Sequence, residues 1–194
     1  MNRNSAIKVG SKSNFIRINS GKWRGKKLPV KNVKGLRPTT NRIKETVFNW
    51  LAKDLYQAKC LDVFAGSGAL GLEALSRQAG HVTLLELDKG AASQIQLNLN
   101  TLKINNAIVL NIDAFSYLSQ SGQPFDVVFI DPPFRNNLLS NIIDRLDKNC
   151  WLSPSALIYI EAEKELGAPN VPLKWNMMKE KKAGQVSFRL YQRG

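Results

Sequence analysis

The sequence predicts a doubly wound α/β fold: a mostly parallel seven-stranded sheet closing on a terminal β-hairpin, preceded by a small basic hairpin and one helix. Two observations carry this. From Lys59 onward, short runs rich in Val, Ile and Leu alternate with segments of helical period, the pattern of parallel strands joined by crossover helices. The charge is also divided. Residues 1–59 hold 15 Lys and Arg against 2 acids, Glu45 and Asp54, whereas residues 60–194 hold 13 of each sign. The whole net charge of +13 therefore belongs to the first third of the 194-residue chain.

The elements follow in order. Residues 1–14 read as a polar tail. Phe15 to Asn19 alternates apolar and polar as a strand does, Gly21 signals a turn, and Trp23 to Leu28 pairs back as a basic hairpin. Pro38 keeps Arg37 out of a helix, and Thr40 or Asn41 caps a helix with Ile43, Val47, Trp50, Leu51 and Leu55 on one face. Residues 15–55 thus form an extension, and residues 56–194 the main domain. In that domain Cys60 to Phe64, Val82 to Glu86, Ala107 to Asn111, Asp126 to Asp131 and Ala156 to Ile160 are the parallel strands. Ala69 to Ala79, the segment bearing Ile95, Leu99 and Leu102, Asp113 to Leu118, and the stripe Leu139, Ile142, Ile143 and Leu146 are the helices. Trp175 to Met178 and Val186 to Tyr191, parted by Ala183-Gly184, form the terminal hairpin.

Composition excludes several classes. A 43% hydrophobic fraction suffices for a core, so a wholly disordered chain is excluded. No apolar run is long enough to cross a membrane, and residues 1–15 lack the apolar stretch of a signal peptide. Cys60 and Cys150 offer no disulfide framework or metal-ligand spacing; they read as buried packing residues in a cytoplasmic protein. A basic block beside a neutral remainder points to a polyanion, nucleic acid before membrane; a merely solvated basic face is the alternative.

Ligands of a doubly wound sheet bind at the carboxyl ends of its strands. Asp62-Val63-Phe64-Ala65-Gly66-Ser67-Gly68 ends the first strand there, with glycines that let the backbone turn sharply. Glu86, 20 residues beyond Gly66, ends the second and can accept hydrogen bonds from ribose hydroxyls. Gly66-x-Gly68-x-x-Gly71 also reads as a dinucleotide fingerprint. Asp62 would repel a pyrophosphate but attract the ammonium and sulfonium of S-adenosylmethionine, which favours that cofactor over NAD. Asp113, after the third strand, can accept from an adenine amino group; a helix cap is the competing role. Asp131-Pro132-Pro133-Phe134, ending the fourth, is the most informative. Two prolines remove two N–H donors and leave carbonyls as acceptors. A carboxylate plus such a carbonyl can hold both hydrogens of an exocyclic amine while Phe134 stacks on the base. Catalytic work is therefore assigned to Asp131, Pro132, Pro133 and Phe134.

This order of glycine loop, ribose acid, adenine acid and Asp-Pro-Pro-Phe resembles the Rossmann-like class I amino-methyltransferases. More closely, the chain is similar to the RsmD-type bacterial 16S ribosomal RNA guanine-N2 methyltransferases. The likeness runs from Phe15 to Arg193 and includes Gly21 to Leu28, Leu36 to Thr40, Glu45 to Leu51, Asp62 to Ser76, Phe129 to Phe134 and Ala183 to Val186. The resemblance implies N2-methylation of one guanine of 16S rRNA, number 966 in rRNA numbering, within the 30S subunit or its assembly intermediate. It implies that Arg37 and Thr39 close over the cofactor, which Asp62, Phe64, Ala65, Gly66, Ser67, Gly68, Glu86, Leu87, Asp113 and Ala114 hold. It implies RNA contacts from Arg17, Lys22, Trp23, Arg24, Lys26, Lys27 and Arg135; for Trp23, core packing is the competing role. No metal is expected, His81 reads as structural, and Lys179, Lys181 and Lys182 as a solvated turn. A DNA amino-methyltransferase and a nicotinamide-dependent oxidoreductase are the rival readings.

Overall fold

The computed structural model describes residues 15–31, 40–133 and 138–194. A two-stranded antiparallel hairpin, β1 (Phe15–Arg17) and β2 (Lys27–Pro29), precedes helix α1 (Asn41–Trp50). The main sheet comprises β3 (Lys59–Asp62), β4 (His81–Leu85), β5 (Ala107–Leu110), β6 (Phe125–Ile130), β7 (Leu152–Glu163), β8 (Trp175–Ala183) and β9 (Val186–Arg193). Its spatial order is β5-β4-β3-β6-β7-β9-β8, parallel from β5 to β7 and antiparallel at the last two pairings. The crossover helices are α2 (Ala69–Ser76), α3 (Lys89–Thr101), α4 (Ala114–Leu118) and α5 (Leu139–Lys148). Because the chain leaves β3 in one direction for β4 and returns to its other side for β6, the sheet switches direction between β3 and β6. Clefts for ligands open at such a point. The expected seven strands and terminal hairpin are all present, but β8 runs on to Ala183, so Lys179, Lys181 and Lys182 lie in a paired edge strand rather than in a turn.

Several boundaries moved for local physical reasons. Trp23 lies in the hairpin turn rather than in a strand, because Gly21 and Gly25 take φ of +81° and +82° and the Trp23 N–H bonds Ser76 Oγ instead of a ladder partner. Helix α2 stops at Ser76, three residues early: Gln78 takes φ +72° and the Ala79 N–H turns back to the Ala74 carbonyl. Thr40 caps α1 as expected, its hydroxyl accepting from the Ile43 N–H. Phe48, not Trp50, is the fully buried ring of that helix, and Leu55 packs from the turn beyond it. Strand β7 is 12 residues long because its two edges pair with β6 and β9. Cys60 is buried, but Cys150 is exposed, in the left-handed position (φ +62°) that closes α5.

The extension is sewn into the core. Ile16, Ile18 and Leu28 of the hairpin and Ile43, Val47 and Phe48 of α1 pack in one cluster with Leu72, Leu75, Leu84, Phe129 and Tyr159. Beneath them lies Glu73, a fully buried carboxylate in the middle of α2. Its two oxygens accept from the backbone N–H groups of Asn19 (2.8 Å) and Ser20 (3.0 Å), from Lys44 Nζ (3.2 Å) and from Arg77 Nε (2.9 Å). Lys44 is itself buried and also donates to the Arg17 carbonyl. Burial pulls its pKa down while Glu73 holds it up. Removing the hairpin would therefore bare the core and strip Glu73 of two donors.

Replacing Glu73 with alanine leaves the buried Lys44 ammonium without its counter-charge. Glu73→Ala is expected to cost about 3–5 kcal/mol in urea denaturation. Arg77→Ala should cost less, because three donors remain on the carboxylate.

Candidate active site

Three acids gather where β3, β4 and β6 end. Asp62, the last residue of β3, is buried, and its Oδ2 accepts the Gly71 N–H at 3.0 Å. Its Oδ1 is buried with no partner among the described residues. Burial, above all, pushes the Asp62 carboxyl up to about 7; the Gly71 N–H opposes this, and the charges of Asp131 and Glu86 add to it. The Phe64 N–H draws it down as the Gly71 N–H does, and a buried carboxyl that titrates near neutrality has the chemistry to receive a cation.

The turn after Asp62 is built for close approach. Gly66 and Gly68 take φ of +54° and +77°, and a Cβ on Gly68 would press on Ile95 and Leu72 at 3.2 Å. Ala65 is buried, while Phe64 and Ser67 are half-buried. Glu86, just past β4, ties the turn down: Oε2 accepts the Gly66 N–H at 2.6 Å and Oε1 the Asp88 N–H at 2.7 Å. Burial raises its pKa and those N–H groups lower it. The Asn111 amide holds the same corner, donating to the carbonyls of Glu86 and Leu87. Leu87 is 70% exposed, an apolar surface beside Glu86. Asp113 caps α4 through Oδ2, which accepts from Ser116 N and Oγ; the capping role is thus realised, and buried Ala114 follows it.

Asp131 and Pro132, following β6, are half-buried, and Pro133 is exposed. Strand β6 runs in register with β7, Phe129 opposite Tyr159 and Ile130 opposite Ile160. That brings up two groups that the sequence reading missed. The buried Tyr159 hydroxyl donates to Glu161 Oε2 at 2.7 Å. Burial and the charges of Glu161 and Asp131 hold its pKa well above the ordinary value. Glu161 sits in an apolar strand without a motif around it, so only strand pairing reveals it.

Phe134, Arg135, Arg37 and Thr39 lie outside the described residues. Lys31, the last described residue before that second segment, brings Nζ to 4.0 Å from Asp88 Oδ1, and Thr40 resumes the chain at the cap of α1. Arg17, Lys22, Arg24, Lys26 and Lys27 are exposed, and Trp23 is half-buried with Lys22 Nζ 5.0 Å above its ring. The turn that carries Lys22 and Trp23 bonds Ser76 at the far end of α2. It therefore stands at the amino ends of the strands, not beside Asp131. Among the described residues no cluster of three or more His, Cys, Asp or Glu could hold a metal, and no helix is long and apolar enough to cross a membrane.

A switch-point glycine turn flanked by acids on three parallel strands, with an antiparallel β7-β9-β8 edge, defines a Rossmann-like methyltransferase domain. Comparison with known proteins makes this specific. Residues 16–192 match the family described as conserved hypothetical protein 95. The chain is 56% identical over 183 residues to ribosomal RNA small subunit methyltransferase D of Escherichia coli K12, covering 94% of this chain and 92% of the relative. It is 55% identical to the protein of the same name from Haemophilus influenzae, over 91% and 93% of the two chains. The solved structure of Escherichia coli yhhF superposes with a TM-score of 0.88 at 54% identity, covering 93% of this chain and 98% of that one. The chain belongs to this family, that of the small-subunit ribosomal RNA methyltransferase D proteins.

Folding raises the Asp62 pKa from an ordinary 3.8 to about 7, so the folded protein keeps a proton that the unfolded chain releases between those values. The stabilising contribution is full below the lower value and is lost as pH rises through the upper. Thermal melts from pH 4 to pH 8 should show wild type losing stability relative to Asp62→Asn by on the order of a few kcal/mol.

Proposed function

We propose that this protein transfers a methyl group from S-adenosyl-L-methionine to the exocyclic N2 of a guanine of 16S rRNA, the one numbered 966 by the family resemblance, in the 30S subunit or an assembly intermediate. The observation that carries the reading is the juxtaposition across the switch point: a buried, half-engaged carboxylate on Asp62 and the Asp131-Pro132-Pro133 strand end beside it. The residues fit the cofactor. The unpartnered Asp62 Oδ1 matches a cationic ligand, the glycine turn admits backbone-close contact, and Glu86 suits ribose hydroxyls once its bond to Gly66 yields to them. Asp113 and Leu87 suit the adenine. When bound, S-adenosylmethionine supplies an electrophilic methyl on a sulfonium.

The chain's own part is orientation. The guanine amine is a poor nucleophile because its lone pair is conjugated into the ring. The Asp131 carboxylate and the Pro132 carbonyl accept its two hydrogens and fix the nitrogen toward the methyl, while Phe134 stacks on the base. The prolines keep competing N–H donors away from that corner. The nitrogen proton becomes acidic only after methylation, so Asp131 need not act as a base before transfer, and solvent can take the proton afterwards. Residues 15–55 serve as the RNA-binding part of the same folded unit, through Arg17, Lys22, Trp23, Arg24, Lys26 and Lys27, with Arg135 contributing from the catalytic side.

Incubation with labelled cofactor and naked 16S rRNA, 30S subunits or DNA, followed by mapping of the modified nucleotide, tests the substrate; label on DNA alone would refute the proposal. Asp131→Ala should abolish turnover while cofactor affinity, measured by calorimetry, stays within roughly a few-fold. Alanine at Lys22, Arg24, Lys26 and Lys27 together should reduce the slope of log affinity against log salt by about 0.7–0.9 per lost phosphate contact.

A further inference from the structure

A cavity with no role in the chemistry above lies at the opposite end of the sheet. It is a groove of about 930 Å³ between the hairpin turn, the turn after α1 and the loop from α2 to β4. Helix α2, eight residues or about 12 Å long, separates it from the glycine turn.

We propose that this groove binds a single-stranded nucleotide of the RNA substrate, at a site distinct from the one that holds the target guanine. The inference rests on the RNA-methylation reading above. No carboxylate lines the groove, while Lys22 does; Arg77 also lines it, but its guanidinium is held by the buried Glu73 and lies against the Phe48 ring, so Lys22 is the cation the lining offers. Its aromatic walls are Trp23 and Tyr56, and Tyr56 is 69% exposed with its ring available to a base. Gln57 and Gln78, both exposed, supply amides able to bond base edges, and Asn106 can offer only its Oδ1. The floor is rigid: the Gln57 N–H bonds the Gln78 carbonyl, and the Asn106 amide bonds the carbonyls of Ala79 and Gly80. A cation, an exposed aromatic face and amides on a fixed floor are the chemistry that receives an unpaired base and its phosphate. An apolar protein segment would find half of this lining polar and its rim cationic. The hairpin thus reads as a bridge, with cations along its length and a base platform at its tip.

The test uses the full-length protein with a labelled oligouridylate about 12 nucleotides long, and with inorganic polyphosphate as a polyanion lacking bases. Tyr56→Ala should weaken oligonucleotide binding roughly tenfold, leave polyphosphate binding unchanged and leave the melting temperature unchanged, because the ring is exposed. Tyr56→Phe should bind the oligonucleotide within about twofold of wild type. Equal losses on both ligands would overturn the base-stacking site. If wild type methylates rRNA and yet binds the oligonucleotide no better than Tyr56→Ala, the groove proposal fails alone. A wild type that transfers no methyl to any RNA would instead remove the reading on which it rests.

Discussion

One buried carboxylate governs how this molecule is assembled. Glu73 sits in the middle of an otherwise apolar helix, and alone it would be costly there. Four donors on the N-terminal extension and on α2 itself resolve that cost: two backbone N–H groups of the hairpin, the Lys44 ammonium and the Arg77 guanidinium. The hairpin and α1 are consequently not an appendage that could dock in several poses. Ion pairs add little where apolar packing would serve as well, but a buried charge with a fixed set of partners selects one arrangement. The basic residues of the extension inherit their positions from it, and so does the groove at the hairpin tip, whose wall is Ser76, three residues beyond Glu73.

The same helix links that clamp to the chemistry. Its first turn follows Gly68, and the Gly71 N–H reaches back to Asp62. Fixing α2 therefore fixes the Asp62 carboxylate, whose ionisation is held near neutrality by burial and by the neighbouring acids. A cation arriving at Oδ1 would relieve the repulsion among Asp62, Asp131 and Glu86. The concentration of negative charge at the carboxyl ends, facing a chain whose net excess is positive elsewhere, separates the two tasks in space. In the proposed function the acids receive the cationic donor and the amine, and the basic residues meet the phosphates.

Much of this was legible from one dimension. Parallel strands buried on both faces declare themselves as unbroken apolar runs, and Asp62, Glu86, Asp113 and Asp131 each stand where such a run ends, so strand-end chemistry could be read directly. What escaped notice has a common cause. Glu73, Lys44 and Ser76 act through partners tens of residues away, and no local pattern marks them. Glu73 had one trace, a lone acid in the buried run Leu70 to Ser76. Asp113 carried both a cap and a ligand reading, because an acid at a helix start satisfies either. Cys150 looked like packing, since a cysteine closing a helix in a left-handed turn differs from a buried one only in backbone geometry.

Sequence alone determined the fold class, the order of elements, the strand-end acids and the division of charge, because periodicity, turn residues and composition are local properties. Only the tertiary structure decided that the basic extension shares the catalytic domain's core and that its turn lies at the far end of the sheet from Asp131. It also brought Tyr159, hydrogen-bonded to Glu161, close to Asp131. Those facts depend on which strands become neighbours and on which buried charge finds which donor, and neither is written in any contiguous stretch of the chain.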